Sequence, residues 1–231
     1  ASDQAGSSCC HFVVYVGPPG SGKTVASTCI DAPTITESRL RSIPADRRES
    51  LGREILLCRE QRDDGPVMHV VRQWTTAGES PSTFLNALLR AASSVGPGER
   101  GVAVLVVNLD DLAANRRYFT REVVDALFAN ELARSCFTHF VVLLNKEDRL
   151  RERVPADQIE SVVAAEAARV IELLERALGG GYSAEIVRGS ALTGHGMRQL
   201  WGAILRGLGL THLFEFEPPT GDQSSPQPEP A

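Results

Sequence analysis

Two short stretches carry residue types at spacings that imply chemistry. The first, Gly17-Pro18-Pro19-Gly20-Ser21-Gly22-Lys23-Thr24, fits the pattern G-x-x-x-x-G-K-[ST]. Glycines let a backbone curl so that successive N–H groups point inward at phosphate oxygens. A lysine at this place reaches β- and γ-phosphates, and the threonine hydroxyl ligates Mg²⁺. The second stretch, Asn145-Lys146-Glu147-Asp148, fits N-K-x-D. Its aspartate can accept hydrogen bonds from N1–H and the 2-amino group of guanine. Adenine has neither donor and would leave the carboxylate unpaired. Asn145 is expected to brace the Gly17–Thr24 side and to touch the base, with the Lys146 stem lying over the ring.

Both stretches need a strand ending at them and a helix leaving them. Residues 12–16 form a short apolar strand, and residues 25–30 can open a helix that ends at Asp31-Ala32-Pro33, because proline disfavours helical geometry before it. Residues 39–52 are polar and Arg-rich, as in a surface loop. Residues 53–59 and 67–74 read as a hairpin joined by a turn containing Asp64-Gly65. Phe84, Leu85, Leu88, Leu89, Ala92 and Val95 make a helical stripe.

Residues 102–107 are apolar throughout, the mark of a central parallel strand. Asp110 just beyond it can be read as an acidic Mg²⁺ residue or as a loop residue. It falls one strand too late for the first role, which favours the second. A helix is expected over 120–134, a buried strand over 140–144, a long helix over 155–178 ended by Gly179-Gly180-Gly181, a last strand over 184–187, and a closing helix from Met197 to Leu208. The alternation predicts an α/β three-layer sandwich of the P-loop NTPase type, with a mostly parallel sheet and one antiparallel edge strand. Residues 1–11 are expected to be a flexible lead-in, 12–210 one nucleotide-binding domain, and 211–231 a largely disordered tail rich in Pro, Ser, Gln and Glu.

Composition narrows the classes. A 231-residue chain with 42% hydrophobic residues suffices for one well-buried domain. A net charge of -5 argues against direct nucleic-acid binding and offers no basic patch for anionic lipid. The five cysteines, Cys9, Cys10, Cys29, Cys58 and Cys136, include no C-x-x-C pair, which fits a reducing cytosolic setting without a zinc site or disulfide framework. The Cys9-Cys10 pair reads as a buried or idle thiol pair in preference to a lipidation site. No apolar run approaches the ~20 residues of a membrane span, so membrane attachment is not visible in this chain.

Three further segments complete the pattern: Pro33-Thr34-Ile35-Thr36-Glu37-Ser38, Trp74-Thr75-Thr76-Ala77-Gly78-Glu79-Ser80 and Ser190-Ala191-Leu192-Thr193-Gly194. Together with the two motifs they resemble the Ras-like small GTPase superfamily over roughly residues 11–208. Within it, they look most like the beta subunit of the signal recognition particle receptor, an Arf-related GTPase. The resemblance implies that Thr34 or Thr36 completes Mg²⁺ coordination beside Thr24. It implies that the Gly78 N–H meets the γ-phosphate and that Ser190, Ala191 and Leu192 present backbone N–H groups to the guanine oxygen.

It also implies a subunit that holds GTP (or GDP) with Mg²⁺ and clasps a protein partner, a receptor alpha subunit, at the cytosolic face of the endoplasmic reticulum. Thr75 stands where that superfamily has Asp, and Glu79 where it has Gln. Both changes predict weak or absent intrinsic hydrolysis, because the Mg²⁺ second shell loses a carboxylate and a carboxylate orients water poorly beside the γ-phosphate. No catalytic residue is identified. A partner-activated Rab- or Arf-type switch and a structural pseudo-GTPase scaffold are the alternatives.

Overall fold

A computed structural model describes residues 7–28, 51–63, 65–75, 101–120 and 131–213. The strands are β1 (Ser7–Val16), β2 (Leu51–Arg62), β3 (Gly65–Thr75), β4 (Gly101–Asn108), β5 (Phe137–Asn145) and β6 (Ser183–Arg188). The helices are α1 (Lys23–Thr28), α2 (Leu112–Tyr118), α3 (Glu131–Cys136), α4 (Glu147–Arg153), α5 (Ala156–Leu178) and α6 (Met197–Leu208). The sheet runs in the order β2-β3-β1-β4-β5-β6. Strands β3, β1, β4, β5 and β6 are parallel, and β2 lies antiparallel along the outer side of β3.

The apolar strands are buried on both faces, and their two-residue period sorts them into two cores. Val14, Leu105, Val107, Val142 and Leu144 pack with Ile159, Val163, Val170 and Leu174 of α5. Their neighbours Val13, Val104, Val106, Val141 and Leu143 face the other way, onto Ala26 of α1 and Leu200, Ile204 and Leu208 of α6. The result is a helix–sheet–helix sandwich compatible with a P-loop NTPase-like architecture. Each large aliphatic side chain buried this way contributes about 1.5–3 kcal/mol, so the middle layer holds its strands in register firmly enough to position loops.

Local signals set the ends of the long helices. Pro155 occupies the N-cap of α5, and Gly179 closes it in a left-handed conformation with φ 63, its N–H donating to Glu175 O. Helix α6 lies between Gly196 and Gly209, both left-handed.

Some expectations need correction. The strand expected over 12–16 begins at Ser7, so residues 7–11 are not a loose lead-in. They pair with Val67–Val71 of β3. Backbone pairing needs no apolar side chain, and the polar His11 is accommodated by stacking on His69, with Nε2 and Nδ1 3.1 Å apart. Cys9 and Cys10 are half-buried in this strand. Helix α2 was not expected, since its LAANRRY sequence has no amphipathic stripe. The expected helix over 120–134 falls largely on residues 121–130, outside the described set. Helix α3 carries its end on to Cys136. The expected stripe from Phe84 to Val95 and the tail from residue 214 also lie outside the described residues. Among the described residues, no helix is long and apolar enough to cross a membrane.

Candidate functional site

Strands β1, β4, β5 and β6 are parallel, and each follows the next in the sheet. Their carboxyl ends therefore bring four loops together, the place where open α/β sheets hold ligands. Residues 17–24 follow β1, residues 109–111 follow β4, Lys146 follows β5, and Gly189–Leu192 follows β6.

The Gly17–Thr24 loop is tightly wound. Ser21 N–H donates to Pro18 O at 3.2 Å. Glycine is required at two of its positions by close approach. A Cβ on Gly17 would lie 2.3 Å from Val106 O, and one on Gly22, at φ +91, would lie 2.4 Å from Asn145 Nδ2. Lys23 opens α1 and folds back over the loop, its Nζ donating to Gly17 O and Pro18 O, both at 2.8 Å. The residue is only 7% exposed, and these partners are carbonyls, not carboxylates. Burial pulls its ammonium down to about 8. Among the described residues no carboxylate pairs with it, and a cation held that way suits an anionic ligand. Thr24 is half-buried in the next position. Thr34 and Gly78, and with them Thr36 and Glu79, lie outside the described residues, so of the expected Mg²⁺ ligands only Thr24 is described.

That lysine makes a pH prediction. Its folded pKa of about 8 lies below the ordinary 10.5, so between those values the unfolded chain binds more protons and raising pH favours the fold. Ligand-free protein is expected to gain on the order of 3 kcal/mol of stability across this window. Lys23→Met should lack that gain. Denaturant unfolding at a series of pH values measures it, and identical profiles for the two proteins would show that Lys23 is not desolvated.

Asn145 joins the loops. Its side chain is 1% exposed; Nδ2 donates to Ser21 O at 2.7 Å and Oδ1 accepts from Ala191 N–H at 2.8 Å. Lys146 follows with φ 67, the one non-glycine residue with positive φ among those described. This left-handed step turns the chain from β5 into α4 and places Asp148 in the helix's first turn. The Oδ1 atom of Asp148 is buried and has no hydrogen-bond partner among the described residues. Orphaned carboxylate oxygens are costly, and this one fits a donor brought by a ligand. An open cleft of about 450 Å³ lies here, lined by Asp110, Lys146, Asp148, Arg149, Arg153 and Leu192.

The three closing-turn residues divide. Leu192 lines the cleft and is 41% exposed. Ser190 and Ala191 have internal duties: Ser190 N–H donates to His195 O at 3.0 Å, and the Ala191 N–H is taken by Asn145. A base oxygen approaching Ala191 would share that donor with Asn145. His195 is exposed.

Tertiary structure adds contacts that the motifs do not announce. Asp110 Oδ1 accepts from Arg153 at 2.7 Å, and its other oxygen lies 3.8 Å from Lys146 Nζ. The Arg153 hydrogen bond, with Lys146 behind it, outweighs partial desolvation and holds the Asp110 carboxyl below its ordinary value. These contacts agree with the loop role favoured for Asp110 in the sequence. Glu147 is 3% exposed. Burial alone would raise its pKa, but hydrogen bonds from Arg188 and Arg151 outweigh that and lower it. No signal in the linear sequence pairs Glu147 with Arg188, which stands 41 positions later.

No protein-family model matches the chain, and a search of curated proteins finds no match.

Proposed function

We propose that the chain binds a guanine nucleotide, GTP or GDP, with Mg²⁺, and acts as a Ras-like switch or assembly subunit. The observation that carries this reading is Asn145, which ties the Gly17–Thr24 loop to the turn at Ala191, while Asp148 nearby lines the cleft and keeps a buried carboxylate oxygen without a partner among the described residues. The fit is chemical as well as spatial. Lys23 supplies a desolvated cation for phosphate, Thr24 a hydroxyl for Mg²⁺, Asp148 an acceptor for the two donors of guanine, and the Lys146 stem and Leu192 apolar surface for the ring. The antiparallel edge strand after the first helix agrees with Ras-like order.

Thr75 ends β3 and is 5% exposed. A buried hydroxyl there cannot replace the charge of a carboxylate in the Mg²⁺ second shell, which favours slow hydrolysis and long-lived bound GTP. On this reading the protein is a subunit similar to the signal recognition particle receptor beta subunit. It docks a protein partner, a receptor alpha subunit, in targeting to the endoplasmic reticulum. A partner-activated switch is the second reading, with the missing catalytic group supplied in trans.

The direct test is to purify the protein without added nucleotide, denature it and identify what is released by chromatography. Stoichiometric GTP is the expected result. GDP would transfer support to the partner-activated switch. Release of nothing, with no thermal shift on adding GTP, would leave a scaffold with relic motifs.

A further inference from the structure

The motif position between Lys146 and Asp148 has no assigned duty in base recognition, yet Glu147 is among the most heavily engaged charged residues of the site. Its Oε1 accepts from Arg188 Nη2 at 2.9 Å and from Arg151 Nη2 at 2.6 Å, and its Oε2 accepts from Arg188 Nε at 3.4 Å. Arg188 reaches onward to Glu160 of α5 through Nη1 and Nη2 at 2.7 and 2.9 Å. The side chains sort by depth: Glu147 is 4% exposed, Arg188 33% and Glu160 74%. The inner pair is therefore shielded and the outer one is bathed in water. Buried, fork-shaped Arg–carboxylate contacts fix geometry far better than surface pairs do.

The two partners sit at telling places. Glu147 begins α4 and immediately precedes Asp148. Arg188 ends β6 and immediately precedes Gly189-Ser190-Ala191-Leu192. The backbones meet there too: Glu147 N–H donates to Gly189 O at 3.1 Å, and Gly189 N–H donates to Leu144 O at 3.0 Å. Gly189 is pressed so close to the returning turn that a Cβ would lie 2.2 Å from His195 O. Two segments carrying the proposed base contacts are thus clamped to each other by contacts separate from those of Asn145.

We propose that Arg188 and Glu147 are positioning residues that set guanine selectivity by holding the Asp148 carboxylate in register with the Ala191–Leu192 turn. This rests on the guanine reading above. Without the clamp, the first turn of α4 can tilt against the turn after β6, and a carboxylate displaced by a fraction of an ångström loses its second hydrogen bond first. That bond is the one to the 2-amino group, so the signature is a change in discrimination, distinct from a general loss of binding.

The test compares affinities for GDP, ADP and inosine diphosphate, which keeps N1–H and lacks the 2-amino group, alongside melting temperatures of the nucleotide-free proteins. The wild type is expected to prefer GDP to inosine diphosphate by roughly tenfold or more and to reject ADP. Arg188→Gln should cut the GDP-to-inosine ratio by about tenfold, and Arg188→Lys, which keeps the charge without the fork, by less. Glu147→Gln is the second variant, should Arg188→Gln fail to fold. Val170→Ala, a core change in α5, should lower the melting temperature and leave the ratio unchanged, which separates positioning from plain stability. A discriminating wild type whose ratio survives both Arg188→Gln and Glu147→Gln overturns the proposal. A wild type that binds GDP no better than ADP overturns the guanine reading and the clamp with it.

Discussion

Replacing Asp148 with alanine is expected to weaken guanine-nucleotide binding by roughly 10²- to 10⁴-fold and to erase the preference for guanine over adenine. The size follows from the chemistry. A carboxylate accepting two hydrogen bonds from one ligand forms charge-assisted contacts of about 1.5–3 kcal/mol each. Its Oδ1 has no partner among the described residues, so no internal hydrogen bond of theirs is lost in exchange and the change falls on the ligand. The fold should be little altered, because the side chain is only half-buried in the first turn of α4. Affinity for ADP should stay the same or rise, since an adenine no longer strands a charge. Competition of both nucleotides against a fluorescent GDP analogue measures this directly. An unchanged guanine preference would mean that the base is read elsewhere.

Asn145→Ala is expected to act on the protein itself. The side chain satisfies Ser21 O and the Ala191 N–H, and Ser21 and Ala191 are 0% and 2% exposed. Truncation strands a buried acceptor and a buried donor at once. Each costs about 1–3 kcal/mol, so nucleotide-free protein should lose roughly 2–6 kcal/mol, a large part of the 5–15 kcal/mol that holds a domain together. Asn145→Asp should be no milder. It keeps the shape and the bond to Ala191, but it faces Ser21 O with a charged acceptor where a donor is needed. Chemical denaturation without nucleotide checks both variants, and a loss below about 0.5 kcal/mol would show that the two loops are held by something else.

How much of this could be read before the structure depends on which physical signal each part left in the chain. Strand β5 and helices α5 and α6 were legible because apolar runs, a proline N-cap and terminal glycines all point the same way. The edge hairpin was legible from Asp64-Gly65. Helix α2 was not, since its organiser is polar. Asp111 accepts from Ala114 N–H at 2.8 Å, while Asn115, fully buried, exchanges two hydrogen bonds with the backbone of Asn108. An aspartate ahead of a short helix was a usable signal for the cap, but nothing in LAANRRY announces a core asparagine. At the site, motif spacing singled out Asp148 and Leu192, which line the cleft, and Asn145, which bonds to Ser21 and Ala191, while Lys23 lies folded over its own loop. Spacing did not separate the internal duties of Ser190 and Ala191 from ligand contact, because both kinds of duty use the same backbone N–H groups. The Glu147–Arg188 and Asp110–Arg153 pairs depend on the crossover of β4, β5 and β6, which residue spacing alone does not encode.

The reach of Asn145 also bears on how the chain is made. Its two partners are Ser21, 124 positions earlier, and Ala191, 46 positions later. Contacts of such separation form late, after the loop-closure entropy of the intervening chain has been overcome. A ribosome-bound nascent chain therefore carries the Gly17–Thr24 loop, while the residues up to Ala191 are made, without the clasp that finishes it. A small ligand present in the cell can latch the completed domain, but it cannot seed the sheet. Early assembly must rest on the apolar strands themselves, and a chaperone that shields them during that interval would act before any ligand of the finished site could.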